Sequence, residues 1–300
     1  MEFPGLVTAD SRETGLSEAD HENDAAPSLR MIRIHKGSIG HMFRTGEKYA
    51  DVGQDRCFFS NSYLYMYIES NDLIYEIKEG HREEETKGFI LGYGLGMYFY
   101  RYGETAVHCS CVEKSGSAFM ISGVSGAGKS TVTGYLLEEG CTLMADDVAV
   151  IREEKGILMA CPAFPYRKLC SDAAKAQNYD ISQLDIIDED RGKYMVPYCG
   201  TFSTEPVPVK MLIVLEKYRT AEENAAVKCM EITGADRLLP CLDNLFIAPV
   251  LGQHKKDIFT VMQALRLAGG IRIYKILRPE GRDTAAEVLE NVKECMEKIQ

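Results

Sequence analysis

The chain has 300 residues, 45% hydrophobic and 26% charged, which is enough to bury a sizeable core. Thirty-four Lys and Arg against 45 Asp and Glu leave a net charge of −11, so no general nucleic-acid or anionic-membrane binding is expected, since both need basic surface opposite phosphates. No apolar run approaches the roughly 20 residues that span a bilayer, and the acidic start lacks the blocks of a signal peptide, so a cytoplasmic protein is expected.

Residues 1–30 hold seven acids, two bases and little apolar material beyond Phe3 and Leu6, and are expected to be a disordered acidic tail. Residues 31–104 form the next unit, a β-rich N-terminal segment. Its alternating runs at 63–68 and 97–100 suggest strands, 72–91 reads as a hairpin with a charged turn at 79–85, and 92–103 fits strand or helix equally. From 105 to 160, strand, loop, helix and strand alternate, the pattern of an α/β fold, so 105–300 is read as one domain with a mixed sheet and flanking helices. Residues 161–210 mix prolines and charges and read mostly as loop with short helices. A strand follows at 209–215, helices at 236–244 and 254–268, a strand at 271–277 and a C-terminal helix at 283–299. The ten cysteines are scattered without a CxxC, so neither a disulfide framework nor a zinc site is expected, and most thiols should be small buried groups.

The chemistry concentrates at Gly123-Val124-Ser125-Gly126-Ala127-Gly128-Lys129-Ser130-Thr131, which contains the phosphate-binding pattern GxxxxGK[ST] between a buried-strand run and a helix-forming run. The glycines permit a tight turn that aims successive N–H groups at phosphate oxygens, and the helix N-terminus adds roughly half a positive charge. Lys129 would neutralise the β- and γ-phosphates of a nucleoside triphosphate, and the Ser130 hydroxyl would ligate Mg2+. The helix that follows descends about 16 Å, and the strand ending at Asp146-Asp147 climbs back about 20 Å. A right-handed crossover therefore returns both carboxylates to the phosphate loop. One can hold the metal and the other accept a proton from an attacking hydroxyl. His108 is expected on a hairpin, 106–111 against 117–122, roughly across from Ile121 and beside the loop.

These residues resemble the kinase domain of HPr kinase/phosphorylase, of the phosphoenolpyruvate-carboxykinase-like P-loop fold. The likeness rests on Val107-His108-Cys109-Ser110, on the loop itself and on Leu143-Met144-Ala145-Asp146-Asp147. Segments 162–169 and 193–197 resemble HPr-kinase-like proteins associated with peptide biosynthesis, whereas 180–190 departs from the stretch found in HPr kinases themselves. The resemblance implies ATP and Mg2+ as cofactors, Asp146 as general base, Asp147 at the metal and His108 at the transferred phosphoryl group. It also implies homo-oligomer assembly. Among the basic residues beyond the core, Arg167 and Lys193 are the expected contacts to the γ-phosphate or an acidic substrate. The expected activity is a serine kinase acting on a peptide or small protein. The alternatives are a small-metabolite or carboxykinase-like enzyme on the same fold, and a nucleotide-binding regulator without transfer.

Overall fold

Five short strands, Arg33–Lys36 (β1), Tyr49–Val52 (β2), Arg56–Ser60 (β3), Leu64–Glu69 (β4) and Asp72–Ile77 (β5), build a first sheet in the order β1-β5-β4-β3-β2. The structure is a computed structural model that describes residues 32–43, 49–53, 55–188, 192–222, 225–246 and 258–298. The acidic tail expected at 1–30 and the start of the helix expected at 254–268 lie outside these residues. The strand read at 63–68 is β4. The hairpin read at 72–91 is instead formed by β4 and β5, with Ser70 left-handed at φ 49° in the turn and Glu69 paired with Asp72.

The segment that follows is helical rather than extended: a 3₁₀ turn at Glu84–Thr86, a short helix Lys87–Phe89 (α1), a π-turn Ile90–Gly94 and a helix Leu95–Arg101 (α2). The strand expected at 97–100 is therefore corrected to helix. Leu95, Gly96, Met97, Tyr98 and Tyr100 are all buried, so the run is apolar on nearly every side and carries no period by which to tell strand from helix.

A second, mixed sheet is centred on Ser117–Gly123 (β8). Val207–Tyr218 (β15) runs parallel to it on one side, and Ser110–Lys114 (β7) antiparallel on the other. Thr142–Ala145 (β9) pairs with β7 and so runs in the same direction as β8, with the helix Lys129–Glu138 (α3) connecting the two. Beyond β15 lie Arg272–Pro279 (β17), parallel to it, and Lys228–Ile232 (β16) at that edge. The start of β15 also pairs with Ile157–Cys161 (β11), which continues through Ala149–Glu154 (β10) to Thr105–Val107 (β6).

Successive strand residues point to opposite faces. Phe119 and Ile121 of β8, Ile213 and Leu215 of β15 and Ile276 of β17 therefore share one core with Val132 and Leu136 of α3 and with Val288 and Val292 of the C-terminal helix Ala285–Glu297. Met120, Leu212 and Val214 face the other way, into a core that also takes in Leu64, Met66, Leu73 and Met97 from the first sheet and α2. No helix among the described residues is long and apolar enough to cross a membrane.

Two more expectations need correction. The stretch 161–210 is not mostly loop: Tyr166–Cys170 (β12), Asp185–Asp188 (β13) and Lys193–Pro197 (β14) form a three-stranded sheet in the order β12-β14-β13, followed at β12's end by the helix Ser171–Ala176 (α4). Along β12 the buried positions are Arg167 and Leu169, and a charged residue at an inward position disguises the alternation. The hairpin around residue 115 is also shorter than expected. Ser115 and Gly116, both left-handed at φ 52° and 71°, make a two-residue turn between β7 and β8. Ser110, not His108, lies opposite Ile121, because Thr105–Val107 leaves to pair with β10.

Candidate active site

The glycine-rich loop at 123–131 emerges from the C-terminal end of β8, a strand with six of its seven residues buried. Gly123 closes that strand at φ 144°, where a Cβ would overlap the Leu215 carbonyl oxygen of β15, so the position admits only glycine. Gly128 at φ 110° turns the chain into α3 and accepts the first helical bond, from Val132 N–H at 3.0 Å. Lys129 is the first residue of α3, and its ammonium folds back to donate to the Gly123 carbonyl. At the rim of the cleft into which the loop opens, the Arg278 guanidinium of β17 donates to the Gly126 carbonyl at 3.2 Å and to the Thr284 hydroxyl at 3.2 Å.

Loop residues Val124 to Thr131 open into a cleft lined also by His108, Asp146, Asp147, Lys168 and Lys193. The two aspartates stand just past the end of β9, and their surroundings differ. Asp146 is anchored on both oxygens. Its Oδ1 accepts the Ser110 hydroxyl at 2.5 Å and the Asp147 N–H at 3.2 Å, and its Oδ2 accepts the Lys168 N–H at 2.9 Å. Asp147 has a left-handed backbone, φ 75°, an uncommon conformation for a non-glycine residue and one that clusters at functional sites. Its Oδ1 lies 3.6 Å from His108 Nδ1, and its Oδ2 lies 3.3 Å from Lys168 Nζ. The N-terminal segment forms the wall beside it: a Cβ on Gly92, in the π-turn, would stand 3.9 Å from Asp147 Oδ2 and 3.5 Å from the Phe246 ring.

His108 occupies the break between β6 and β7. Its N–H donates to the Asn244 carbonyl at 2.8 Å, and the Ser122 hydroxyl lies between the His108 carbonyl and the Asn244 side-chain oxygen. The ring Nδ1 is 3.0 Å from the Asp147 carbonyl. A carbonyl only accepts, so Nδ1 carries the proton and Nε2 keeps its lone pair.

Burial pushes the His108 imidazole below its ordinary value and outweighs the opposing pull of Asp147, so the ring is neutral near pH 7. Burial alone would raise the Asp147 carboxyl, but Lys168, His108 and Lys193 together hold it below the usual range. Burial, with Lys193 nearby, lowers the Lys129 ammonium. The site thus keeps a neutral imidazole, an ionised aspartate and a group of cations within one cleft.

Of the two basic residues expected at the substrate, Lys193 lines the cleft and Arg167 does not. Arg167 lies beneath α3, 3% exposed, donating to the Ser130 carbonyl and to the Gln177 side-chain oxygen, each at 2.7 Å. Its neighbour Lys168 supplies the cation beside Asp147 instead, because adjacent strand residues face opposite ways. The period-2 pattern could have shown this had β12 been read as a strand. Ser110, Ser122 and Asn244 are the other polar residues to which sequence reasoning gave no role, and no local motif marks Asn244.

No protein-family model matches the chain, and no curated protein matches it. Among solved structures, the chain is similar to the Hpr(Ser) kinase/phosphatase from Coxiella burnetii, with a TM-score of 0.32 and 16% identity over 64% of this chain and 97% of that one. A likeness that distant assigns no role to any residue here.

Proposed function

We propose that the chain is an ATP- and Mg2+-dependent phosphotransferase that passes a phosphoryl group to a hydroxyl, of the serine-kinase type acting on a peptide or small protein. The observation that carries the transfer reading is a glycine loop, with Lys129 at a helix N-terminus, opening into the same cleft as two aspartates, a neutral imidazole and two further lysines. The peptide or protein acceptor, and assembly as a homo-oligomer, rest on the sequence likeness of 107–147, 162–169 and 193–197 described above. Residues 105–300 carry the transfer chemistry in this reading, and 31–104 form the β-rich companion segment.

Among the described residues no group of three or more His, Cys, Asp and Glu is placed to hold a metal ion alone. That fits Mg2+, which is usually held by one or two side chains together with substrate phosphates. Mg2+ supplies charge neutralisation at the phosphates when bound, and the Ser130 hydroxyl with one aspartate would hold it. The hydrogen bonds favour the opposite division of the pair from the one the resemblance implies. Asp146 already accepts three donors, so it is held rigidly and suits a metal-facing role. Asp147 is 20% exposed and ionised, and suits the proton from the incoming hydroxyl. Phosphoryl transfer passes through a loose transition state in which the nucleophile is little activated, so a carboxylate of modest basicity suffices. Lys129, Lys168 and Lys193 stabilise the phosphate charge.

The test is mass-detected phosphate gain on candidate peptides with Mg2+ and ATP. Asp147→Asn should retain nucleotide binding and lose transfer by about 10²–10⁴-fold. Asp146→Asn should weaken Mg2+-dependent binding as well. Undiminished transfer by Lys129→Ala would refute the kinase reading, and an Asp146→Asn variant that keeps normal Mg2+·ATP affinity but loses transfer would restore the other order of the aspartates.

A further inference from the structure

Cys229 and Cys295 form a cluster that the nucleotide chemistry does not use. Cys229 lies on β16, the edge strand beyond β17, and is half-buried. Cys295 lies in the last turns of the C-terminal helix, on the face of Val288 and Val292, and is fully buried. Their sulfurs are 3.5 Å apart, across 66 residues of sequence. That is van der Waals contact, and a disulfide needs about 2.05 Å, so the two sulfurs have roughly 1.5 Å to close. The other eight cysteines have no sulfur–sulfur hydrogen bond among the described residues.

We propose that Cys229 and Cys295 are a thiol–disulfide modification site that takes low-molecular-weight disulfides as its oxidant. The partly exposed Cys229 is the attacking thiol. As thiolate it bonds to one sulfur of the small disulfide, whose other sulfur leaves as a thiolate and takes up a proton. The buried Cys295 then loses its proton, bonds to Cys229 sulfur and expels the second small thiol. Two S–H groups become one S–S bond, and the two electrons reduce one small disulfide to two thiols.

The surroundings fit this division. The S–H···S contact with Cys295 holds the Cys229 thiol below its ordinary value, with help from Lys298 and opposition from Glu294. The same contact and burial raise Cys295, as expected of a resolving thiol that reacts only with its neighbour. The product would staple the sheet edge to the helix whose first turn, Ala285 to Val288, borders the phosphate cleft.

The experiment treats the native full chain with glutathione disulfide, followed by intact mass and non-reducing peptide mapping. The expected result is loss of two hydrogens, a peptide joining Cys229 to Cys295 and reversal by dithiothreitol. Closing a loop of this length should raise the melting temperature by about 5–8 °C. Cys229→Ser should give neither the linked peptide nor the shift, and Cys295→Ala should instead accumulate a glutathione adduct on Cys229. A wild-type chain that keeps both thiols, that stops at a Cys229 adduct, or that forms the link only in denaturant would overturn the proposal.

Discussion

Arg167→Met separates a residue that holds α3 from one that touches substrate. The guanidinium is 3% exposed and donates two bonds of 2.7 Å, to the Ser130 carbonyl in the first turn of α3 and to the Gln177 side chain. A bond from a charged donor contributes about 1.5–3 kcal/mol, and removing it strands the acceptor. Against that, the buried Nε has no partner, so methionine also relieves a desolvation cost. The balance is a loss of about 2–4 kcal/mol. A chain of this length unfolds with an entropy of roughly 0.6 kcal/mol/K, so the melting temperature should fall by about 3–7 °C.

Ser130 would sit less firmly in such a variant, so kcat should drop while the KM for the acceptor stays near wild type. Arg167→Lys keeps the charge but not the two-pronged geometry, and should recover only part of the loss. Calorimetry with steady-state kinetics checks both statements. An unchanged melting temperature with an acceptor KM raised by about tenfold or more would refute the reasoning and return Arg167 to the substrate.

Gly123→Ala adds a methyl group that overlaps a strand carbonyl at a left-handed φ, which should cost about 2–5 kcal/mol and weaken ATP binding, measured by urea titration and isothermal calorimetry. His108 is neutral in the folded chain, whereas the unfolded chain takes up a proton near its ordinary value of about 6.5. The unfolded state therefore binds more protons below that value, and stability should fall as pH drops through it. His108→Asn should flatten that limb in melts between about pH 5 and about pH 7.5; equal slopes for the two chains would contradict the placement of the ring.

The glycine-rich loop at 123–131, its helix and the strands on either side were legible because each is a contiguous run whose conformation follows from its own residues: glycines where φ is positive, a buried apolar strand before, a helix after. Rise per residue carried the reading one step further, returning Asp146 and Asp147 to the loop's edge. Beyond that, neighbours remote in sequence decide. The helix at 95–101 is hidden by burial on nearly every side, and β12 by an inward arginine. Lys168 rather than Arg167 reaches the cleft because strand pairing with β14 sets which face each residue takes. His108 is held by Asn244 and Ser122, the latter two being 122 residues apart. The unequal bonding of the two aspartates depends on Ser110 and on the backbone of β12. A hydrogen bond between distant segments has no counterpart in local propensity. Which donor meets which acceptor is settled only when the sheets close around their cores.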